Sequence, residues 1–153
     1  MSTIRAGAGE LNQMVVHMNR AYWLVTSALL RRLGLYAGQE LLLMQLWDQD
    51  GQSQADLAKA LKLDPSTVTR TVRSLEQQGL LARTPSPVDR RATIVSLTDG
   101  GRALREKVES TWSELEGILT QGMSQRQRDD LLRLLRRVEN NLTAAGETLR
   151  LDN

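Results

Sequence analysis

The chain has 153 residues, 41% of them hydrophobic and 25% charged, with no cysteine and one histidine, His17. That length and balance fit a single globular domain, or one whose extensions pack against a partner. Without thiols, disulfides, thiolate nucleophiles, thiol redox sensing and cysteine-ligated zinc are excluded, and a single histidine leaves no His-rich metal site. The formal net charge is only +2, so attraction to nucleic acid must come from where the charges sit.

The opening "MSTIRAGAGE" lacks the apolar core of a signal peptide, and runs such as "LLLM" are far short of a membrane span, so a cytoplasmic protein is expected. From Glu10 to Arg32, apolar residues recur at Leu11, Met14, Val15, Met18, Tyr22, Val25 and Leu29, which is helical spacing. "GLYAG" (34–38) breaks this helix, and "QELLLMQLWD" (39–48) predicts a short buried one. Ser53 with Asp56 has capping-box spacing, and Leu57, Ala58 and Leu61 give the next helix its apolar face. "LKLD" is a tight connection. Asp64-Pro65 then starts another helix, because Asp is a favoured N-cap and Pro lacks only an N–H that had no partner there.

Val68, Val72 and Leu75 form the inner face of that helix, and Gly79 suits its left-handed C-terminal position. "LLART" (80–84) and "ATIVSL" (92–97) flank a Pro-rich tip and predict a hairpin with a long loop. Thr98 caps one long helix with the stripe Leu104, Val108, Trp112, Leu115 and Leu119. "GMS" (122–124) interrupts it, and Ser124 with Gln127 starts the last helix. Leu131, Leu135, Val138 and Leu142 are its heptad-like apolar set, and the tail "TAAGETLRLDN" is expected to fray. A mainly α fold follows, a helix-turn-helix with a small β-hairpin wing, flanked by N- and C-terminal helices.

The outer face of the helix after Asp64 carries Ser66, Thr69, Arg70, Arg73 and Gln77, with Thr67 near its start. Small hydroxyls allow close approach to phosphates and base edges, and arginine can pair bidentately with guanine. Solvated helix faces are typically rich in Glu and Lys, which this one is not. At the hairpin tip, "PSPVDRR" places Arg90 and Arg91 away from the core, where a narrow minor groove of flanking DNA would favour them. Asp89 is expected to pair with an arginine inside the loop and fix its direction. No metal cluster, activated nucleophile or glycine-rich phosphate loop is visible, since "TDGGR" lacks the lysine and spacing of a P-loop. The residues therefore point to a DNA-binding protein and not an enzyme, with no cofactor. A winged helix turned protein-interaction module is the alternative.

The stretch "LDPSTVTRTVRSLEQQGLLARTPSPVDRRATIVSLTDGGRAL" (63–104) resembles the core of the MarR family of bacterial transcription regulators. The Asp-Pro-Ser helix start, the "LEQQGLL" exit, the Asp-Arg-Arg wing and the "VSLT" strand exit recur together, and "SQADLAKAL" is more weakly similar. The resemblance implies base and phosphate contacts from Ser66, Thr67, Thr69, Arg70 and Arg73. It puts Arg91 in the minor groove, oriented by Asp89, with Arg90 near the backbone.

It also implies a homodimer with intertwined terminal helices, a pseudopalindromic operator, and a ligand pocket between the helical part and the winged lobe. Residues 1–33 and 103–153 would then build the dimerisation region, and residues 34–102 the DNA-binding lobe. The residues support the dimer independently, because the stripes of 11–29 and 131–142 are too apolar to face water. His17, Arg20 and Tyr36 are the pocket candidates: an aromatic acid or phenol could offer a carboxylate to Arg20 and a ring to Tyr36. The other reading makes His17 an interface histidine and Arg20 a solvated charge. The family's cysteine-based peroxide sensing is excluded, and the expected activity is that of a ligand-released repressor.

Overall fold

The computed structural model describes residues 9–151. Its helices are α1 (Glu10–Arg31), α2 (Gln39–Asp48), α3 (Gln54–Leu61), α4 (Pro65–Gln77), α5 (Asp99–Ala103), α6 (Arg105–Leu119) and α7 (Gln125–Leu151). The strands are β1 (Gln52–Ser53), β2 (Leu81–Pro85) and β3 (Thr93–Leu97). The chain is mainly helical with a small antiparallel wing, as the pattern predicts. It divides into two compact units between Leu115 and Glu116, inside α6. Among the described residues no helix is long and apolar enough to cross a membrane.

The core of the first unit forms where each short helix contributes its predicted face. Leu42, Leu43 and Leu46 of α2, Leu57 of α3, and Val68, Val72 and Leu75 of α4 are all fully buried. Burying each such side chain contributes about 1.5–3 kcal/mol. Val95 and Leu97 of β3 close the core from the sheet side, and Val108 of α6 closes it from the helical side. These contacts, not helix propensity, hold α3 and α4 in place, since eight- and thirteen-residue helices are marginal alone.

The caps set the boundaries. Ser53 Oγ accepts from the Asp56 N–H at 3.0 Å, and Thr98 Oγ1 accepts from the Gly101 N–H at 3.1 Å. Ser124 and Gln127 form the complete reciprocal box, with bonds of 3.2 and 2.8 Å. Asp64 is the N-cap of α4, but its carboxylate makes no cap bond, so Pro65 carries that start. At the other end, Gly79 has φ +74°. The Gly79 N–H donates to Glu76 O, and the Leu80 N–H to Leu75 O, the paired bonds of a Schellman turn.

Three expectations change. The hairpin gains a third strand, giving the order β1-β3-β2, because Gln52 and Ser53 pair with Val95 and Ile94. The single long helix after Thr98 divides at Leu104 into α5 and α6, although Leu104 keeps helical angles and the Val108 N–H still reaches its carbonyl. The described part of the tail is helical: α7 runs to Leu151, and Ala145 and Leu149 continue the heptad spacing of Leu131, Leu135, Val138 and Leu142.

Candidate nucleic-acid interface

Helix α4 turns Val68, Val72 and Leu75 inward, and this forces the intervening residues outward. Ser66, Arg70, Arg73 and Gln77 are exposed, while Thr67 and Thr69 are half-buried at the helix shoulder. The Thr69 hydroxyl is already engaged, donating to Pro65 O at 2.9 Å and accepting from Gln54 Nε2 at 3.1 Å. Thr69 thus ties the start of α3 to α4 and keeps one lone pair for an outside donor. Gln54 was invisible to sequence reasoning, because its partner lies on the next helix.

Glu76, the acid nearest the stripe, is neutralised by Arg83 of β2. Arg83 Nη2 lies 2.8 Å and Nε 2.9 Å from the same Glu76 Oε2. A half-exposed pair of this kind contributes little stability. Its geometric effect is larger, since the fork joins the wing strand to the recognition helix.

The wing loop is built on backbone hydrogen bonds. The Ser86 N–H donates to Ala92 O at 2.9 Å, and the Ala92 N–H to Asp89 O at 3.0 Å. Ser86 Oγ accepts from the N–H groups of Val88 and Asp89 at 3.3 and 3.2 Å. Asp89 does not pair with a guanidinium as expected: its Oδ1 accepts the Arg91 backbone N–H at 3.0 Å. A short Asp side chain reaches the backbone two residues on more readily than a side chain pointing away, an Asx turn. Asp89 therefore shapes the loop and leaves both guanidiniums unpaired.

The ion pairs among the described residues use Arg32, Arg83, Arg102, Arg105 and Arg133. Arg70 and Arg73 on α4 and Arg90 and Arg91 on the wing lie outside them, and all four are exposed. One lobe thus presents unneutralised arginines from two neighbouring elements, which is an anion-binding surface.

The proposed pocket residues are less gathered. His17 and Arg20 lie on the exposed part of α1, and Tyr36 is 73% exposed. A groove of about 390 Å³ on this unit is lined by other residues, among them Leu41, Met44, Trp47 and Leu61. Beneath Tyr36 the loop is tightly held. The Tyr36 N–H donates to Gln39 Oε1 at 2.9 Å, and buried Gln39 donates through Nε2 to Ser74 Oγ of α4 at 2.9 Å. Next to it, burial raises the pKa of Glu40, and the N–H groups of Glu40 and Gly38 partly oppose that rise.

A helix-turn-helix joined to an antiparallel wing, with arginines free on both, defines a winged-helix DNA-binding protein. The MarR family profile matches residues 35–93. The chain is 33% identical over 106 residues to the organic hydroperoxide resistance transcriptional regulator of Bacillus subtilis strain 168, covering 69% of each chain. It is 38% identical over 104 residues to the uncharacterized HTH-type transcriptional regulator YdgJ of the same strain, covering 66% of this chain and 62% of that relative. It therefore spans less than two thirds of YdgJ.

A MarR cysteine-to-serine mutant from E. coli, complexed with operator DNA, superposes with a TM-score of 0.75 at 27% identity, covering 85% of this chain and 96% of that one. Bordetella bronchiseptica BpsR, whose DNA binding is regulated by 6-hydroxynicotinic acid, gives 0.78 at 26% identity, covering 89% and 98%. The chain belongs to the MarR family of transcription regulators.

Proposed function

We propose that this protein is a cytoplasmic, homodimeric repressor that binds a pseudopalindromic operator and is released by a small anionic or phenolic ligand. The observation that carries the reading is the set of unpaired arginines, Arg70 and Arg73 on α4 and Arg90 and Arg91 on the wing. In this reading Ser66, Thr67, Thr69, Arg70 and Arg73 meet bases and phosphates in the major groove. Arg91, on a loop shaped by Asp89, enters the adjacent minor groove, with Arg90 on the backbone. Two such lobes would sit about 34–36 Å apart, one turn of duplex.

The dimer is supported by apolar side chains left exposed on the single chain. On α1, Leu11 is 77% and Leu24 63% exposed; on α7, Leu142 is 65% and Leu149 68% exposed. A partner covering them would make residues 1–33 and 103–153 the dimerisation region and 34–102 the reading head; residues 1–8 and 152–153 lie outside those described. The ligand reading draws on BpsR, with His17, Arg20 and Tyr36 as the contacts. The Tyr36–Gln39–Ser74 hydrogen bonds would couple such a ligand to α4. A coupling of about 1–3 kcal/mol alters operator occupancy about 5–150-fold.

One experiment tests the whole reading: operators are selected from random duplex, then bound across a salt series, with and without aromatic acids, while sedimentation reports the mass. Expected are a dimer, a log–log salt slope near −0.9 per neutralised phosphate, and weaker binding with an effective acid. A stable monomer indifferent to duplex in dilute salt overturns it. Arg91→Ala should weaken binding more when the flank is an A-tract than when it is G·C-rich, because the narrow groove supplies its potential. Equal losses on the two flanks would contradict that placement.

A further inference from the structure

The wing tip carries one feature that phosphate binding does not use. Val88 is 94% exposed, more than any other exposed large hydrophobic side chain of the described residues. It stands between Pro87 and Asp89, in a loop otherwise built for charge and turn geometry. Its backbone is held in the turn: Ser86 Oγ accepts its N–H at 3.3 Å, and the Ser86–Ala92 and Asp89–Ala92 bonds close the loop. Valine's β-branching adds a stiff χ1, so the two methyls project in a defined direction at little entropic cost.

We infer that Val88 is a specificity-determining residue that reads the floor of the minor groove beside Arg91, rejecting base pairs that carry an amino group there. This rests on the operator reading above. The minor groove offers a simple chemical distinction. A·T pairs show only acceptors, whereas G·C pairs add the guanine N2 amino donor. A methyl pressed against that amino group displaces its water and returns no hydrogen bond, which is unfavourable. Against an A·T pair the same methyl meets a flatter floor. Arg91 responds to groove width, a property of several consecutive steps; Val88 would respond to one exocyclic group at one step.

Inosine and 2,6-diaminopurine remove or add the N2 amino group with little change to the major groove, and a side-chain variant then separates the Val88 response from that of Arg91. Val88→Thr is the informative variant. It keeps shape and β-branching but replaces a methyl with a hydroxyl that can accept from the amino group. Because the side chain is almost wholly in solvent, the variant should fold as the parent does, which circular dichroism checks.

On the selected operator, the wild type should bind inosine·C and A·T about five- to tenfold more tightly than G·C and diaminopurine·T at one flanking step. Val88→Thr should reduce that ratio to about twofold or less. Equal ratios for the two proteins at every step overturn the inference while leaving operator binding intact, as does a wild type with no preference at any step. A wild type that binds no duplex overturns the operator reading and this inference with it.

Discussion

Gly101→Ala is expected to cost about 3 kcal/mol of stability or more, whereas Gly100→Ala one residue earlier is expected to be close to neutral. A Cβ on Gly101 would collide with the backbone carbonyl oxygen of Leu80 and crowd Leu97 Cδ2 at 3.2 Å. That carbonyl has no freedom to retreat. Leu80 is fixed on one side by its N–H bond to Leu75 O at 3.0 Å, and its own oxygen accepts the Thr98 N–H at 3.1 Å. Gly101 is equally held, since its carbonyl accepts Trp47 Nε1 at 2.9 Å and its N–H caps on Thr98.

Relief therefore requires lifting the start of α5 off the root of the wing and breaking some of these bonds. Overpacking costs about 1–3 kcal/mol, and each lost hydrogen bond adds about 1 kcal/mol. At Gly100 the nearest atom is Gly79 O at 3.3 Å, which accepts the Thr98 hydroxyl and need give by only a few tenths of an ångström. The better helix propensity of Ala, worth about 1 kcal/mol, offsets that strain. Urea unfolding of both variants at fixed protein concentration checks the contrast. A Gly101→Ala midpoint equal to wild type would mean that α5 does not rest on Leu80 as described.

Gly101 also marks where sequence reading stops. The glycines of "TDGGR" were legible only as not forming a P-loop, because the need for a missing Cβ arises from a residue more than twenty positions away. Local chemistry was legible wherever partners are close in sequence. Ser53, Thr98 and Ser124 cap within three residues, and Gly79 supplies its positive φ in the turn it terminates.

The turn between α3 and α4 shows the limit of residue-type rules. It is made by Lys62 at φ +53°, a side chain that gives no turn signal. Strand β1 is two residues long and exists only because β3 lies beside it. On the candidate interface, helical periodicity alone placed Arg70 and Arg73 outward. The partners that organise the surface, Gln54 on Thr69 and Arg83 on Glu76, lie across turns that spacing cannot measure. Asp89 is expected to pair with an arginine side chain, but the donor it meets is the Arg91 backbone N–H, a local partner that residue type alone does not reveal.

The second large effect belongs to Arg70. Arg70→Ala is expected to lose about 1–3 kcal/mol on the preferred operator, about 5–150-fold, and to relax discrimination at one base pair. The loss should be confined to binding. Arg70 is exposed on α4 and takes part in none of the ion pairs among the described residues, so its removal leaves no buried partner unsatisfied. The urea midpoint should stay within about 0.5 kcal/mol of wild type.

Arg70→Lys then separates the two possible targets. Lysine keeps the charge but lacks the planar fork that pairs with guanine O6 and N7. If Arg70 reads a base, Arg70→Ala leaves the salt slope close to wild type, and discrimination at that pair stays lost in Arg70→Lys. If Arg70 instead holds a phosphate, Arg70→Ala weakens every sequence alike and reduces the salt slope by about one, and Arg70→Lys restores most of the affinity. Anisotropy titrations of the three proteins against the operator and its single-pair variants, at two salt concentrations, decide between them. Because the Glu76–Arg83 fork holds α4 to the wing without involving Arg70, the same titrations on Arg73→Ala give an independent reading one helical turn further along.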